Sequence, residues 1–349
     1  MTSLLVLIPC LNEEKSIGAV IDGMPRVLPG ISDISIAVID DGSTDATGAI
    51  ARARGATVLT HGRNRGVGAA LRTGLAHARR VKADITVSID GDGQFDQSQI
   101  ATLIAPILNG EADFATASRF KDPALVPHMP KVKIFGNRRI AWLVSSLTGI
   151  RMYDVSCGFR AYSRDVVEAI HILGNFTYTH EVIMQVAFRG FRIAEIALPV
   201  RGVREFGQSR VASDLWRYAR LSSGIILNCF RDHRPFYAFS LISGIFFAIA
   251  CGFGLFFLQH RIISGQFEPH IWSGFVSAFF VGLACLTMVL GQVAIMVFHL
   301  RETLLQESRH MAAMVEDLQK ERGGNTMGSH GSVPEDAMPP PLRAAAKGD

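Results

Sequence analysis

The chain has 349 residues, 48% of them hydrophobic, with 35 Lys and Arg against 31 Asp and Glu and a formal net charge of +4. That length suits about two domains, and a mean hydropathy of +0.25 is high for a wholly soluble protein, so a membrane part is expected. The mild basicity, with no interleaving of aromatic and basic residues, gives no nucleic-acid partner; five scattered cysteines without a Cys-x-x-Cys pair give neither a zinc site nor a disulfide framework.

In chain order, the apolar run 4–8 reads as a first strand, since it is too short for a signal peptide and lacks a basic leader. A helix over 13–27 follows, then a strand over 34–39 that ends in Asp40-Asp41-Gly42-Ser43-Thr44-Asp45. Ser43 or Thr44 can cap a helix over 45–54. A third strand (56–60), a third helix (67–80) and a fourth strand (85–89) complete the alternation, which implies a parallel sheet with helices on both faces. Ligands in such sheets bind beyond the carboxyl ends of the strands. Asn12-Glu13, Asp40-Asp41 and Asp90-Gly91-Asp92-Gly93-Gln94 all fall there.

Asp90 and Asp92 read either as solvated acids of a turn or as two carboxylates sharing a hard cation, Mg²⁺ or Mn²⁺, whose open positions are filled by substrate phosphates. Gln94 reads either as a neutral ligand or as a polar strand-end residue, and Asp40 as a cap for the Gly42-Ser43 turn. Gly66-Val67-Gly68 opens a helix as a dinucleotide fingerprint does, but Leu71 stands where a third small residue is needed. A calcium loop from Asp90 fails at Phe95, where glycine is required, and at Ala101, where glutamate is.

Pro9, Asn12-Glu13, residues 39–45, residues 64–70 and the Asp90-Gly91-Asp92-Gly93-Gln94 motif together resemble the nucleotide-sugar domain of family 2 inverting glycosyltransferases. Ala117-Ser118-Arg119-Phe120, residues 154–160 and residues 204–210 resemble the dolichyl- or polyprenyl-phosphate hexose synthases within that family, of the dolichyl-phosphate mannose synthase type. The resemblance covers roughly residues 3–230. It implies a GT-A (Rossmann-like) α/β fold with a mixed, mainly parallel sheet. It further implies that Pro9, Leu11, Glu13, Ile39, Asp41, Asp90 and Gly91 line the nucleotide sugar, and that Asp90, Asp92 and Gln94 hold Mg²⁺ or Mn²⁺ and the diphosphate. The chemistry agrees, because a divalent cation stabilises charge building on a departing nucleoside diphosphate.

The strand over 112–117 leads to Arg119, and a Pro- and basic-rich loop leads to a helix over about 132–146. That basic run reads as a solvated face or as an acceptor site. Arg119, Lys133, Arg138, Arg160, Arg204, Ser209 and Arg210 are the candidates for binding an acceptor phosphate, because guanidinium groups grip phosphate oxygens bidentately. Relatives commonly have Ser-Lys where this chain has Ser209-Arg210. Asp92, Asp154 and Arg119 are the candidate catalytic residues. A phosphate monoester acceptor is already largely ionised at neutral pH, so Asp154 is expected to orient groups more than to remove a proton. His180 is expected to be a structural hydrogen-bonder. A helix through Phe188 and a strand over 193–200 close the catalytic domain, 1–208.

Residues 209–234 read as an amphipathic interfacial helix. Two uncharged stretches, 236–259 and 271–298, follow; roughly 24 residues at about 1.5 Å each exceed a hydrocarbon core of about 30 Å, so both are expected to be transmembrane helices. Arginines flank the pair outside and only Arg261 lies between, which places both termini in the cytosol of a cytoplasmic-membrane protein. A cytosolic helix over 301–322 and a disordered tail over 323–349 complete the expected organisation. The expected activity is inverting transfer of a hexose from GDP-mannose or a UDP-sugar to a polyprenyl phosphate such as undecaprenyl or dolichyl phosphate. The alternatives are transfer to another lipid or a polysaccharide, and an inactive membrane assembly subunit. Self-association into a homo-oligomer is left open.

Overall fold

The computed structural model describes residues 2–172, 174–175, 178–201 and 215–327, the backbone alone at 215–219 and at most positions from 301. Seven strands form one sheet: β1 (Thr2–Cys10), β2 (Ile31–Asp40), β3 (Thr57–Thr60), β4 (Ile85–Ser88), β5 (Phe114–Ser118), β6 (Arg160–Ser163) and β7 (Ile193–Ala197). Their order is β3-β2-β1-β4-β6-β5-β7. All pairings are parallel except those of β6, which runs antiparallel to both β4 and β5. The expected mixed, mainly parallel α/β sheet is therefore present.

Alternation along the strands divides the core in two, because successive side chains point to opposite faces. Leu5 and Leu7 of β1 and Ile39 of β2 pack beneath α3 (Val67–Val81), α5 (Lys131–Thr148), α6 (Arg164–Ala169), α7 (Thr179–Phe188) and α8 (Leu215–His233). Leu4, Val6, Ile8 and Val38 pack on the other face beneath α1 (Ile17–Asp22), α2 (Thr47–Ala53) and α4 (Ile100–Leu108). Strands covered on both faces read as continuous apolar runs, which is why β1 and β4 are plain in the sequence.

α1 is much shorter than the helix expected over 13–27. Asn12 takes a left-handed conformation (φ 53°), and the amides of Asn12 and Glu13 donate to Ser43 Oγ (2.9 Å) and Thr47 Oγ1 (2.8 Å). The stretch before Ile17 is thus a turn held by the β2–α2 loop. The last strand also ends earlier than expected, at Ala197, with a single antiparallel bridge between Phe95 and Val200 beyond it.

Two helices are long and apolar enough to cross a membrane: α9 (Pro235–Ser264) and the first part of α10 (Ile271–Met327). They pack closely, with Ser243 Oγ donating to Ala284 O (2.9 Å) and Ser277 Oγ to Ala250 O (2.8 Å). Contrary to the separate cytosolic helix and the tail beginning at Gly323, α10 continues unbroken to Met327; no proline interrupts it. The rest of the tail, 328–349, and residues 209–214 of the expected interfacial helix lie outside the described residues.

Candidate functional site

The carboxyl ends of β1, β2 and β4 meet at one edge of the sheet, as the order β2-β1-β4 requires. The loop after β1 is tied to the loop after β2 by Thr44 N–H donating to Asn12 Oδ1 (2.8 Å). It is tied to the loop after β4 by Ser16 Oγ donating to Gly91 O (2.8 Å). Leu11 and Glu13 remain half-buried, where a ligand can reach them. Pro9 is buried and pairs in register with Ile39.

Two residues expected to line the donor are placed differently. Ile39 is fully buried, and its side chain packs in the core with Leu7 and Leu71, so it offers a ligand no apolar wall. Asp41 is 4% exposed, and its carboxylate is a loop organiser: it accepts from Arg65 N (3.0 Å) and Gly66 N (2.8 Å) and contacts His61 Nδ1 at 2.6 Å. The other ring nitrogen of His61 lies 2.9 Å from Thr73 Oγ1. Asp40 Oδ1 accepts from Ser43 N (2.8 Å), the turn-capping role the sequence allowed. Nothing in the spacing pointed to His61, since a histidine on a strand end is identified only by the acid that folding brings to it.

The helix N-terminus that mimics a dinucleotide fingerprint is covered by protein. Gly68 N–H donates to Asn175 O at 3.0 Å, and a Cβ at Gly66 or Gly68 would lie 2.3 Å from Asn175 O or 2.2 Å from Gly174 O. These glycines are required by a close backbone approach rather than by a pyrophosphate.

Beyond β4, Asp90 is half-buried and Asp92 is 2% exposed. A Cβ at Gly158 would lie 2.9 Å from Asp90 Oδ2, so the Asp90 carboxylate rests directly over bare backbone. Asp92 Oδ1 accepts from Gln94 N at 3.0 Å. The Gln94 side-chain amide donates to Arg201 O (2.9 Å), which orients its carbonyl oxygen as the acceptor end. Arg201 N–H in turn donates to Gln94 O (3.0 Å). Asp90, Asp92 and Gln94 thus offer only hard oxygen donors, the set suited to Mg²⁺ or Mn²⁺. Among the described residues no group of three or more His, Cys, Asp or Glu side chains could hold a metal unaided, so a cation here fits a site completed by ligand oxygens.

At the end of β5, Arg119 grips Asp154 with both arms, Nε to Oδ2 at 2.7 Å and Nη2 to Oδ1 at 2.9 Å. Nη2 also reaches Ser156 Oγ (2.7 Å), which donates to Asn137 Oδ1 of α5 (3.2 Å). The Asp154 side chain is 0% exposed and that of Arg119 is 18% exposed. Burial alone would raise the Asp154 pKa. The Arg119 charge and hydrogen bonds from Arg119 and Ser156 outweigh it and hold the carboxyl below the usual aspartate range. The buried Asp154 carboxylate is thus paired with Arg119 and kept ionised.

Arg160 is not a surface phosphate ligand, as the sequence suggested. It is fully buried, and its guanidinium donates to Cys157 O (2.8 Å), Thr179 O (2.8 Å) and Val155 O (3.1 Å) between the rings of Phe114 and Tyr178. Burial, reinforced by Arg160, pushes His180 down to about 3, so the buried ring is neutral. Lys133 is half-buried and Arg138 exposed, both on α5. Arg204, Ser209 and Arg210 lie outside the described residues.

Comparison with known proteins places this geometry. The model of "Glycosyl transferase family 2" matches residues 5–170. A UDP-N-acetylglucosamine--dolichyl-phosphate N-acetylglucosaminyltransferase of Methanococcus voltae is 31% identical over 182 residues, 47% of this chain and 71% of that protein. A dolichyl-phosphate hexose transferase of Haloferax volcanii is 30% identical over 198 residues, 57% of this chain and 82% of that protein. Among solved structures, glucosyl-3-phosphoglycerate synthase of Mycobacterium tuberculosis with Mn²⁺, UDP-glucose and phosphoglyceric acid superposes with a TM-score of 0.52 at 23% identity, over 66% of this chain and 80% of that one. That likeness is one of fold.

Proposed function

We propose that this chain, which belongs to glycosyl transferase family 2 and is a glycosyltransferase (EC 2.4), moves a hexose from a nucleotide sugar to a polyprenyl phosphate held in the membrane. The observation that carries this reading is the pairing of two strand-end sites on one domain tied to two apolar helices. One site has the hard-oxygen set Asp90, Asp92 and Gln94 after β4; the other has Arg119 set on buried Asp154 after β5. The named relatives act on dolichyl phosphate, and a substrate that cannot leave the bilayer accounts for the anchor.

A divalent cation held by Asp90, Asp92 and the Gln94 carbonyl oxygen supplies electrostatic stabilisation to the departing diphosphate when bound. Leu11 and Glu13 contact the nucleotide, and the Asp41-organised loop at Arg65 and Gly66 shapes its surroundings. Arg119 receives the acceptor phosphate, with Lys133 and Arg138 of α5 nearby in sequence on the acceptor side. An ionised phosphate oxygen attacks the anomeric carbon opposite the leaving group, so inversion needs no covalent enzyme intermediate and no strong base. Asp154 keeps the guanidinium in place. The outward face of α5 supports a membrane surface beside this site: Val132, Phe135 and Trp142 are each at least 60% exposed, and the helix carries Lys131, Lys133, Arg138 and Arg139 without a single acid. Such a face suits anionic headgroups. The arginine distribution around the spans supports a cytosolic catalytic domain with both termini on the same side.

The test is incubation of membranes containing the chain with radiolabelled UDP- and GDP-sugars and polyprenyl phosphate. A metal-dependent, mild-acid-labile lipid-linked sugar is expected. Product formed without metal, or unchanged in Asp92→Ala, refutes the donor site; no turnover with any donor refutes the proposal.

A further inference from the structure

Glu195 is an acid in the middle of β7, in an otherwise apolar run, and only 9% exposed. Burial raises its pKa, and the Asp154 charge adds to that against the hydrogen bonds it receives. A buried acid without a metal or a basic partner needs neutral donors to compensate its lost hydration. Glu195 has them, and they belong to both halves of the acceptor site. Its Oε1 accepts from Asp154 N at 2.7 Å and from Tyr153 N at 3.0 Å, and Oε2 also meets Tyr153 N at 3.0 Å. The Ser118 hydroxyl donates to the same carboxylate, and Ser118 Oγ accepts from Lys121 N at 3.1 Å. The Lys121 ammonium donates to the Glu195 backbone carbonyl at 2.6 Å.

One carboxylate therefore fixes the turn that carries Asp154 and the turn from Ser118 to Lys121 that carries Arg119. Its position follows from the sheet, because β7 runs parallel to β5 with Glu195 opposite Thr116 and Ala197 opposite Ser118. We infer that Glu195 is the positioning residue of the acceptor side: it sets the separation of the Arg119 and Asp154 turns and thereby the aim of the Arg119 guanidinium at a lipid phosphate. This rests on the acceptor reading proposed above. Glu195 touches no substrate; it acts through Ser118 and Asp154 on Arg119. The donor-side strands β1, β2 and β4 lie on the other side of β6, and the link from the β7 segment to Gln94 runs through the Arg201 backbone and not through the Glu195 carboxylate.

The experiment uses the full chain in nanodiscs and measures binding of farnesyl phosphate and, separately, of Mn²⁺ with UDP. Glu195→Ala is expected to weaken farnesyl phosphate at least about tenfold, as loss of an outer-shell orienting partner does, with Mn²⁺–UDP affinity within about twofold. Glu195→Gln restores binding, since an amide oxygen can accept from Asp154 N while its NH₂ donates to Ser118 Oγ. In a double-mutant cycle, Glu195→Ala adds little to Arg119→Lys if it acts through that residue. Where Glu195→Ala does not fold, Glu195→Asp takes its place; one methylene shorter, it is expected to weaken farnesyl phosphate selectively. Equal weakening of both ligands, failure of Gln to restore binding, or additive losses in the cycle would overturn the inference. Wild-type protein that binds Mn²⁺–UDP but no farnesyl phosphate overturns the acceptor reading and this one together, whereas wild-type binding of both with an indifferent Glu195→Ala overturns this one alone.

Discussion

Replacing Arg119 with Met would leave the Asp154 carboxylate, 0% exposed in its side chain, without the guanidinium that neutralises it. Removing one partner of a buried ion pair costs about 3–5 kcal/mol, a large part of the ~5–15 kcal/mol that holds a domain folded. The pH dependence gives the effect a signature. In the wild type the Asp154 pKa is lowered, so the pair contributes stability above the unfolded-state value of about 3.9, and that contribution is lost as pH falls through the folded value. In Arg119→Met burial is opposed only by the backbone hydrogen bonds from Ser156 and residue 119, so the pKa rises. The deficit is then largest at neutral pH and shrinks on acidification through the raised value, by up to about 1.4 kcal/mol per pH unit. Urea unfolding of the detergent-solubilised chain at pH 5, 6 and 7.5, followed by tryptophan emission, reads this directly. Arg119→Met/Asp154→Asn should be more stable than Arg119→Met, because the stranded charge is gone. A deficit that is the same at every pH, or a double variant worse than the single one, would refute the reasoning.

Gly158→Ala places a methyl 2.9 Å from Asp90 Oδ2; Mn²⁺ affinity measured calorimetrically in the presence of UDP should fall about tenfold, and an unchanged affinity would remove Asp90 from the metal site. Asp41→Ala strands the amides of Arg65 and Gly66 and the His61 ring, so thermal melts should show a loss of at least about 1–3 kcal/mol and nucleotide-sugar KM should rise. Chelation of divalent cations should stop transfer, and Asp92→Ala should lower turnover on the order of a hundredfold or more, with no rescue by excess Mn²⁺.

The donor half of the molecule was legible because its strands are buried on both faces and announce themselves as apolar runs that break abruptly into Asp, Gly and Ser. The acceptor half was less so. β6 begins with Arg160 and spans only four residues, a polar start that no strand pattern predicts; the charge is tolerated because three carbonyls and two rings surround it. For the same reason Arg160 looked like a phosphate ligand: sequence cannot say whether a guanidinium meets phosphate or peptide oxygens. The family resemblance implies donor contacts for Ile39 and Asp41, but side-chain alternation turns the first into the core and the 61–66 loop claims the second. Glu195 carried a readable signal, an acid flanked by apolar residues in a strand. Its partners, forty and more residues away in the chain, carried none.

The antiparallel strand inserted between β4 and β5 also bears on how the enzyme is assembled. β4 and β5 follow one another in sequence but never pair; each must wait for β6. Loop closure of that kind is slow, and until it happens two strand edges stay open to stray pairing. The segment that closes them follows directly on Asp154 and brings Arg160 with it, so sealing the sheet and setting Arg119 are one event. Under the proposed function, a chain lacking this pairing would keep the donor-side strands β1, β2 and β4 together and lack the settled acceptor side.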